Sequence, residues 1–143
     1  MIRPPAKATR ILVIDDDPGL AEVIELLLAR EGYAAERAGT LKTSVQKIEA
    51  MEFDLVITDL KLPDGTGLDV IRSIRESHPG LPIIMITSYS SMESAIAALR
   101  AGAVDYIIKP FDNDEFLHAI ERALAERRMR RENAALKRSL RNA

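Results

Sequence analysis

Cysteine is absent from this sequence, and no hydrophobic stretch is long enough to span a membrane. Without cysteine, neither a disulfide framework nor a thiolate metal site can form. The apolar run after the basic N-terminus, residues 11–14, is far shorter than a signal-peptide core or a transmembrane helix. We therefore expect a soluble protein that works in the reducing cytoplasm.

Charge is distributed unevenly along the 143 residues, although the formal net charge is only -2. Residues 1–120 carry 12 Lys or Arg against 19 Asp or Glu, whereas residues 121–143 carry 8 against 3. The length is that of one domain, and the asymmetry predicts an acidic body with a separate basic tail. We expect an N-terminal extension over 1–9, a globular domain over 10–125 and a basic helical linker over 126–143.

Five short apolar runs alternate with longer segments whose apolar residues recur at helical spacing. Continuous rather than alternating hydrophobicity predicts strands covered on both faces, as in a parallel sheet. Five alternations of strand and helix predict an α/β fold with a doubly wound, five-stranded parallel sheet. The predicted strands comprise residues 11–14, 33–35, 55–57, 83–86 and 106–108.

Helix start and stop signals accompany each helical segment. Asp17 and Pro18 suit the cap and first position of the first helix, and Gly32 follows its end. Ser90 with Glu93 is typical of a capping box before the fourth helix, which Gly102 ends. Thr40, Thr66 and Asp112 precede the other helices. The predicted buried faces are Leu20, Val23, Ile24, Leu27 and Leu28; Leu41, Val45 and Ile48; Leu68, Ile71 and Ile74; and Met92, Ala95, Ile96 and Leu99.

Polar side chains follow four of the five predicted strands. Asp15, Asp16 and Asp17 follow the first, Asp59 the third, Thr87 and Ser88 the fourth, and Lys109 the fifth. Ligands of open parallel sheets bind at the carboxyl ends of the strands, so these residues should converge. Clustered carboxylates repel one another unless a cation lies among them, and oxygen-only ligands favour Mg²⁺. Asp17 is sufficiently explained as a helix cap.

Asp59 is the predicted centre of the chemistry, because a rigid strand holds it at the edge of the sheet. A carboxylate fixed beside Mg²⁺ can act as a nucleophile toward phosphorus. Lys109 would contribute a fixed positive charge and Thr87 a hydroxyl donor to the phosphoryl oxygens. Either residue alone would be an ordinary lysine or strand threonine. Their combination at separate strand ends indicates Mg²⁺-assisted phosphoryl transfer.

These motifs closely resemble the receiver domain of bacterial two-component response regulators. The resemblance covers residues 11 to about 125, in order and at the family's spacing. It rests on residues 12–16 (LVIDD), 55–59 (LVITD), 62–65 (LPDG), 86–88 (ITS) and 105–110 (DYIIKP).

The resemblance implies a flavodoxin-like strand order of 2-1-3-4-5, with Asp15, Asp16 and Asp59 around Mg²⁺ and the Lys61 carbonyl as a further ligand. Asp59 would accept a phosphoryl group from a sensor histidine kinase, which makes the domain a switch rather than an enzyme with its own substrate. Thr87 and the ring of Tyr106 would move on phosphorylation and change the surface of the fourth helix and fifth strand.

Two further expectations come from the resemblance. The bond between Lys109 and Pro110 matches one that is usually cis in the family. Lys61 and Tyr89 occupy positions that in the family help set how long the phosphoryl group survives.

The tail contains a short heptad seam of Met129, Asn133, Leu136 and Leu140, which predicts a homodimer in which Asn133 fixes the register. The segment from Arg131 to Lys137 looks similar to the linker of sigma-54-class enhancer-binding activators. On that view the chain is a regulatory fragment followed by ATPase and DNA-binding domains, with a complete single-domain regulator as the alternative. Although the tail is basic, we expect a solvated linker helix rather than direct DNA binding.

Two other functions compete with the switch. A phosphatase of the haloacid dehalogenase type needs a second acid two residues after its nucleophile, where this sequence has Lys61. A flavin-binding module must cradle a phosphate in its first loop, where three aspartates would repel one. Turnover of a small phosphate ester would support the phosphatase, and a yellow purified protein the flavin module.

Overall fold

The computed structural model describes residues 8–88 and 91–142. Twelve helices and strands follow one another along this part of the chain. They are β1 (Arg10–Ile14), α1 (Pro18–Arg30), β2 (Ala34–Ala38), α2 (Leu41–Ala50), β3 (Leu55–Thr58), β4 (Lys61–Leu62), β5 (Gly65–Thr66), α3 (Gly67–Ser77), β6 (Ile83–Thr87), α4 (Met92–Ala101), β7 (Asp105–Ile108) and α5 (Asn113–Arg141).

Five of the strands form one parallel sheet in the order β2-β1-β3-β6-β7. The two-residue strands β4 and β5 form a separate antiparallel hairpin, which is additional to the five predicted strands. With this hairpin set aside, the sheet has the predicted order 2-1-3-4-5. The register places Ile14 beside Thr58, and Thr58 beside Met85, so the carboxyl ends of the central strands lie close together.

Helices cover both faces of the sheet, as a doubly wound fold requires. On one face α2, α3 and α4 pack against inward residues such as Leu12, Val56 and Met85. On the other, α1 and α5 pack against residues such as Val13 and Ile57. The central strands β1, β3 and β6 are almost wholly buried, whereas the edge strands β2 and β7 are only partly buried. The predicted burial of the strands on both faces is therefore nearly complete for the central strands and only partial for the edge strands.

Four of the predicted helix caps are confirmed. In each case the side chain accepts a hydrogen bond from a backbone amide in the first turn of its helix, which satisfies a group that has no partner within the helix. These caps are Asp17 for α1, Thr40 for α2, Thr66 for α3 and Asp112 for α5.

The sequence prediction was wrong for the cap and the buried face of α4, whereas its predicted end at Gly102 is confirmed. Ser91, whose side chain accepts from the amide of Ser94, caps the helix. Ser90, the predicted cap, lies outside the described residues. The predicted apolar face is exposed at Met92, Ile96 and Leu99, and Ala98 is the buried residue of the helix. The helix packs closely against α3 and β7, and this close approach favours a small side chain at the contact.

On α1, Val23 was wrongly placed on the buried face. Its exposed fraction is 50%, whereas Ala21, Ile24 and Leu28 are buried. The buried face of α1 therefore includes Ala21, and hydrophobicity alone would have favoured the larger Val23 for the core.

The last helix, α5, is continuous across the boundary predicted at residue 126. Ala123 is its last buried residue, and the helix then extends with its side chains largely exposed. The sequence has neither glycine nor proline from Asp112 to Ala143, and the C-terminal helix is extended accordingly. Within the described ranges, no helix has the length and apolar character needed to cross a membrane.

Candidate functional site

Three strand ends bring the predicted site residues to one edge of the sheet. Asp15 follows β1, Asp59 follows β3, and Lys109 follows β7. The backbone amide of Asp59 donates to the carbonyl of Ile14 at 2.9 Å, and that of Lys109 donates to the carbonyl of Thr87 at 2.9 Å. These sheet-like hydrogen bonds hold the site residues in place before their side chains interact.

Lys109 lies between two of the carboxylates. Its Nζ donates to Oδ2 of Asp15 at 2.9 Å and to Oδ2 of Asp59 at 2.9 Å. The exposed side-chain fractions are 16% for Lys109, 4% for Asp15 and 14% for Asp59. Burial acts to lower the pKa of Lys109, but the hydrogen bonds and charges of Asp59 and Asp15 outweigh it and raise that pKa. Lys109 is therefore held as a cation.

A third carboxylate completes an acidic cluster. One oxygen from each of Asp15, Asp16 and Asp59 lies within 4.8 Å of the others. Asp15 is buried, Asp59 is partly buried and Asp16 is exposed, so the cluster is open to solvent on the side of Asp16. All the donors are oxygens and one lysine cannot balance three carboxylates, so the residues fit a hard divalent cation such as Mg²⁺.

Backbone amides orient the other carboxylate oxygens of Asp15 and Asp59. Oδ1 of Asp59 accepts from the amides of Leu60 at 2.6 Å and Lys61 at 3.4 Å. Oδ1 of Asp15 accepts from the amide of Asp17 at 2.9 Å. Each carboxylate thus has one oxygen held by the backbone and one directed at Lys109. Asp17 uses its own Oδ1 to cap α1, in agreement with the sequence prediction.

The predicted switch residues lie on neighbouring strands, and Tyr106 is level with Met85, two residues before Thr87. Thr87 is buried at the end of β6, and Tyr106 is partly buried on β7. Burial and the negative charge of Asp59 raise the pKa of the Tyr106 phenol, so the tyrosine lies within electrostatic reach of Asp59. Ser88 is exposed, and Tyr89 lies outside the described residues.

Lys61 begins the β4 hairpin with an exposed side chain. The peptide bond between Lys109 and Pro110 is cis, as the resemblance implies.

Gly67 is a supporting residue that the sequence analysis missed. A Cβ at this position would lie 2.4 Å from the carbonyl oxygen of Asp59 and 2.8 Å from the side chain of Met85. The amide of Gly67 also donates to the carbonyl of Leu60 at 2.7 Å. The start of α3 can therefore approach the Asp59 loop this closely only without a side chain. The sequence shows a glycine directly after the cap Thr66, but it does not show that the Asp59 carbonyl and the Met85 side chain are the neighbours that require it.

Asp64 is a second supporting residue that was missed. Its Oδ1 accepts from the amide of Leu41 at 2.7 Å and its Oδ2 from the amide of Lys42 at 3.0 Å. The hydrogen bonds from the amides of Lys42 and Leu41 lower the pKa of Asp64. The hairpin after Asp59 is thereby attached to the start of α2.

The predicted dimer seam lies on the exposed part of α5. Met129, Leu136 and Leu140 are exposed large apolar side chains, and Asn133 is exposed with them. Their spacing along one continuous helix keeps them available for pairing with a second helix.

Comparison with protein families identifies the domain. Residues 11–121 match the response regulator receiver domain. The chain is 38% identical over 125 residues to the response regulator protein PilR of Pseudomonas aeruginosa, and the match covers 87% of this chain but 28% of PilR. It is 36% identical to the transcriptional regulatory protein ZraR of Escherichia coli, covering 80% of this chain and 26% of ZraR. The chain thus spans about a quarter of the length of these two relatives.

A solved structure has the same fold. The TrrA response regulator of Thermotoga maritima, crystallised in complex with Mg²⁺ and BeF, superposes with a TM-score of 0.75 at 34% identity. The match covers 81% of this chain and 99% of TrrA.

Proposed function

Because the chain belongs to the family of response regulator receiver domains, we propose that it is a two-component switch in which Asp59 accepts a phosphoryl group. The observation that carries the proposal is the position of Lys109, 2.9 Å from both Asp15 and Asp59 beside a third carboxylate. The donor is a phosphohistidine of a sensor kinase. An Asp59 carboxylate oxygen bonds to phosphorus while the bond from phosphorus to the histidine nitrogen breaks.

The residues around Asp59 have different roles in phosphoryl transfer. Asp15, Asp16, Asp59 and the backbone carbonyl of Lys61 would hold Mg²⁺. When bound, the ion supplies positive charge that offsets the phosphoryl oxygens. The hydrogen bond from Nζ of Lys109 to Oδ2 of Asp59 supports a role for the lysine in binding a phosphoryl oxygen there. The domain regulates rather than turning over a substrate of its own, and it assists its own phosphorylation and dephosphorylation.

The response reaches the surface through Thr87 and Tyr106. A phosphoryl group at Asp59 offers new hydrogen-bond acceptors to the Thr87 hydroxyl, and a shift of Thr87 allows the ring of Tyr106 to turn inward. The surface that changes is that of α4 and β7, where Met92, Ile96 and Leu99 already expose apolar groups. The two states differ in packing, and the phosphoryl contacts change their populations.

The output is carried by the tail helix in a longer transcription regulator. We assign residues 10–125 to the receiver and 126–143 to a linker that pairs with a second copy through the seam. The names and lengths of PilR and ZraR support a larger regulatory protein, and the linker resemblance supports ATPase and DNA-binding domains of the sigma-54 class. We infer that the protein works in the cytoplasm, where a sensor kinase is its partner.

Phosphorylation of Asp59 can be tested directly by incubating the chain with a small acyl phosphate and Mg²⁺ and measuring the intact mass. We expect one phosphoryl addition that disappears with a chelator or with Asp59→Asn. Asp114→Asn, which changes an exposed acid on α5, is the matched control and should be labelled normally. Persistent labelling of Asp59→Asn would exclude Asp59 as the acceptor.

The dimer seam can be tested separately. Leu136→Arg places a charge on the seam and should weaken self-association, measured by sedimentation, without changing phosphoryl labelling. Ala135→Arg adds the same charge to the neighbouring exposed position off the seam and should associate like the parent chain. Unchanged association of Leu136→Arg, or equal weakening by Ala135→Arg, would contradict the seam.

A further inference from the structure

Ala123 is the last fully buried residue of α5, and Leu124 beside it still packs, partly buried, against the core. Beyond it, Arg127 stands out because its side chain is only 14% exposed. Residues 128–142 are all exposed. Arg127 is therefore the outermost side chain of the described part of α5 that remains packed against the body.

Arg127 contacts the corner of the sheet where two central strands begin. Its Nη1 donates to the carbonyl of Phe53 at 2.8 Å and lies 3.8 Å from Oδ1 of Asp54. Asp54 is itself attached to the start of β1, because its Oδ2 accepts from the amide of Arg10 at 2.9 Å and its own amide donates to the Arg10 carbonyl at 2.8 Å. The arginine thus binds the helix to a rigid part of the fold.

Stability alone is a poor explanation for this arrangement. Burial and the nearby charge of Arg131 lower the pKa of Arg127, and the charges of Asp54 and Glu52 offset this only in part. Among the described residues, no acceptor faces the buried Nε of Arg127. A buried charge with an incomplete set of partners gains little net stability, but its directional hydrogen bonds can still select one geometry.

We propose that Arg127 is a positioning residue that fixes the direction in which residues 128–141 leave the receiver body. The significance of this role rests on the proposed function, in which the tail carries the output. Asp54 directly precedes β3 and Asp59 directly follows it, so the contact lies at the opposite end of the strand that holds the phosphoacceptor. A fixed direction also reduces the conformational entropy lost when the seam pairs with a second copy, because the helix is already ordered before it binds.

The direction of the tail can be measured with paired spin labels, since the chain has no cysteine to remove. Glu49→Cys on α2 and Ser139→Cys on the tail are both exposed sites. Labelled chain is diluted with an excess of unlabelled chain, so that only distances within one molecule contribute. Pulsed electron paramagnetic resonance then gives the distribution of label-to-label distances, with no phosphorylation involved.

We expect a narrow distribution for the parent chain and a clearly broader or shifted one for Arg127→Met. Methionine is long and apolar and has a helix propensity close to that of arginine, so the helix itself should persist. Arg127→Lys can still donate to Phe53 and should restore most of the narrow distribution. Arg128→Met is the matched control on the adjacent, exposed position, and its distribution should stay narrow.

An unchanged distribution in Arg127→Met overturns the proposal, as does equal broadening in Arg128→Met. A circular dichroism melt of each variant shows whether the body is folded. Should Arg127→Met not fold, Asp54→Asn weakens the same contact from the body side, and its distribution must then broaden for the proposal to stand. The distance measurement uses the unphosphorylated chain, so it stays valid if Asp59 is not labelled. Likewise, an unchanged distance distribution in Arg127→Met would not affect the result of Asp59 labelling.

Discussion

Lys109→Met tests whether the lysine balances the carboxylates at the edge of the sheet. The change removes a cation that lies 2.9 Å from both Asp15 and Asp59, and it leaves those two largely buried carboxylates facing each other. Breaking a fully buried ion pair from one side costs about 3–5 kcal/mol. This site is open to water beside the exposed Asp16, so we expect a smaller loss of about 2–3 kcal/mol in the free energy of unfolding.

Mg²⁺ makes this prediction more specific. If the cation binds at Asp15, Asp16 and Asp59, it supplies positive charge that the variant lacks, so the cost of Lys109→Met should shrink when Mg²⁺ saturates the site. Urea unfolding in chelator and in excess Mg²⁺ measures both values for each chain. In chelator the expected loss corresponds to a fall of roughly 10 °C in Tm for a domain of this size.

Lys137→Met is the matched control, because Lys137 is exposed on the tail and the substitution is the same. Its effect should stay within about 0.5 kcal/mol under both conditions. A loss below about 1 kcal/mol for Lys109→Met in chelator would show that the two contacts do not stabilise the fold as reasoned. An identical loss with and without Mg²⁺ would show that the ion and the lysine do not compensate the same charges.

Two further changes test the supports of the Asp59 loop. Gly67→Ala forces a Cβ to within 2.4 Å of the Asp59 carbonyl oxygen and should cost about 2–3 kcal/mol in urea unfolding. Gly80→Ala, where a Cβ meets nothing within 4 Å, should be near neutral, and equal effects would refute the close approach. Asp64→Asn should destabilise the fold at neutral pH, because the pKa of Asp64 is lower in the folded chain than its ordinary 3.8. The contribution of the ionised Asp64 to stability is complete above pH 3.8 and is lost as the pH falls through the lower pKa of the folded chain. The free energies of unfolding of the parent and Asp64→Asn chains should therefore converge in acid. A difference that persists there would contradict the prediction.

The features that the sequence predicted correctly are those that local chemistry determines. A helix cap such as Thr40 or Asp112 needs only a side-chain oxygen near the amides of its own first turn. The central strands are recognisable because burial on both faces requires apolar residues at every position. The convergence of Asp15, Asp59 and Lys109 follows from strand order once the sheet is known to be parallel, so spacing and topology together were sufficient.

The features that were missed depend on neighbours distant in sequence. Gly67 is required because the Met85 side chain and the Asp59 carbonyl approach it, and Arg127 is buried because Phe53 and Asp54 lie beside it. Nothing in the local sequence distinguishes that arginine from the exposed arginines around it. The basic tail was predicted to be a solvated linker, and its first contact with the body became visible only in the folded chain.

The error in α4 bears on how the switch could work. Only Ala98 of α4 is buried, whereas α1 buries four of its residues, so fewer buried side chains hold α4 against the body. Its C-terminal end is held more firmly, because Nη2 of Arg75 donates to the carbonyl of Gly102 at 2.8 Å while Nη1 binds the carbonyls of Pro79 and Leu81. Its N-terminal end lies on the Thr87 side. Under the proposed function, a displacement that begins at Thr87 would tilt α4 about its C-terminal end. Such a tilt would change the orientation of Met92, Ile96 and Leu99, which are already exposed, toward a partner.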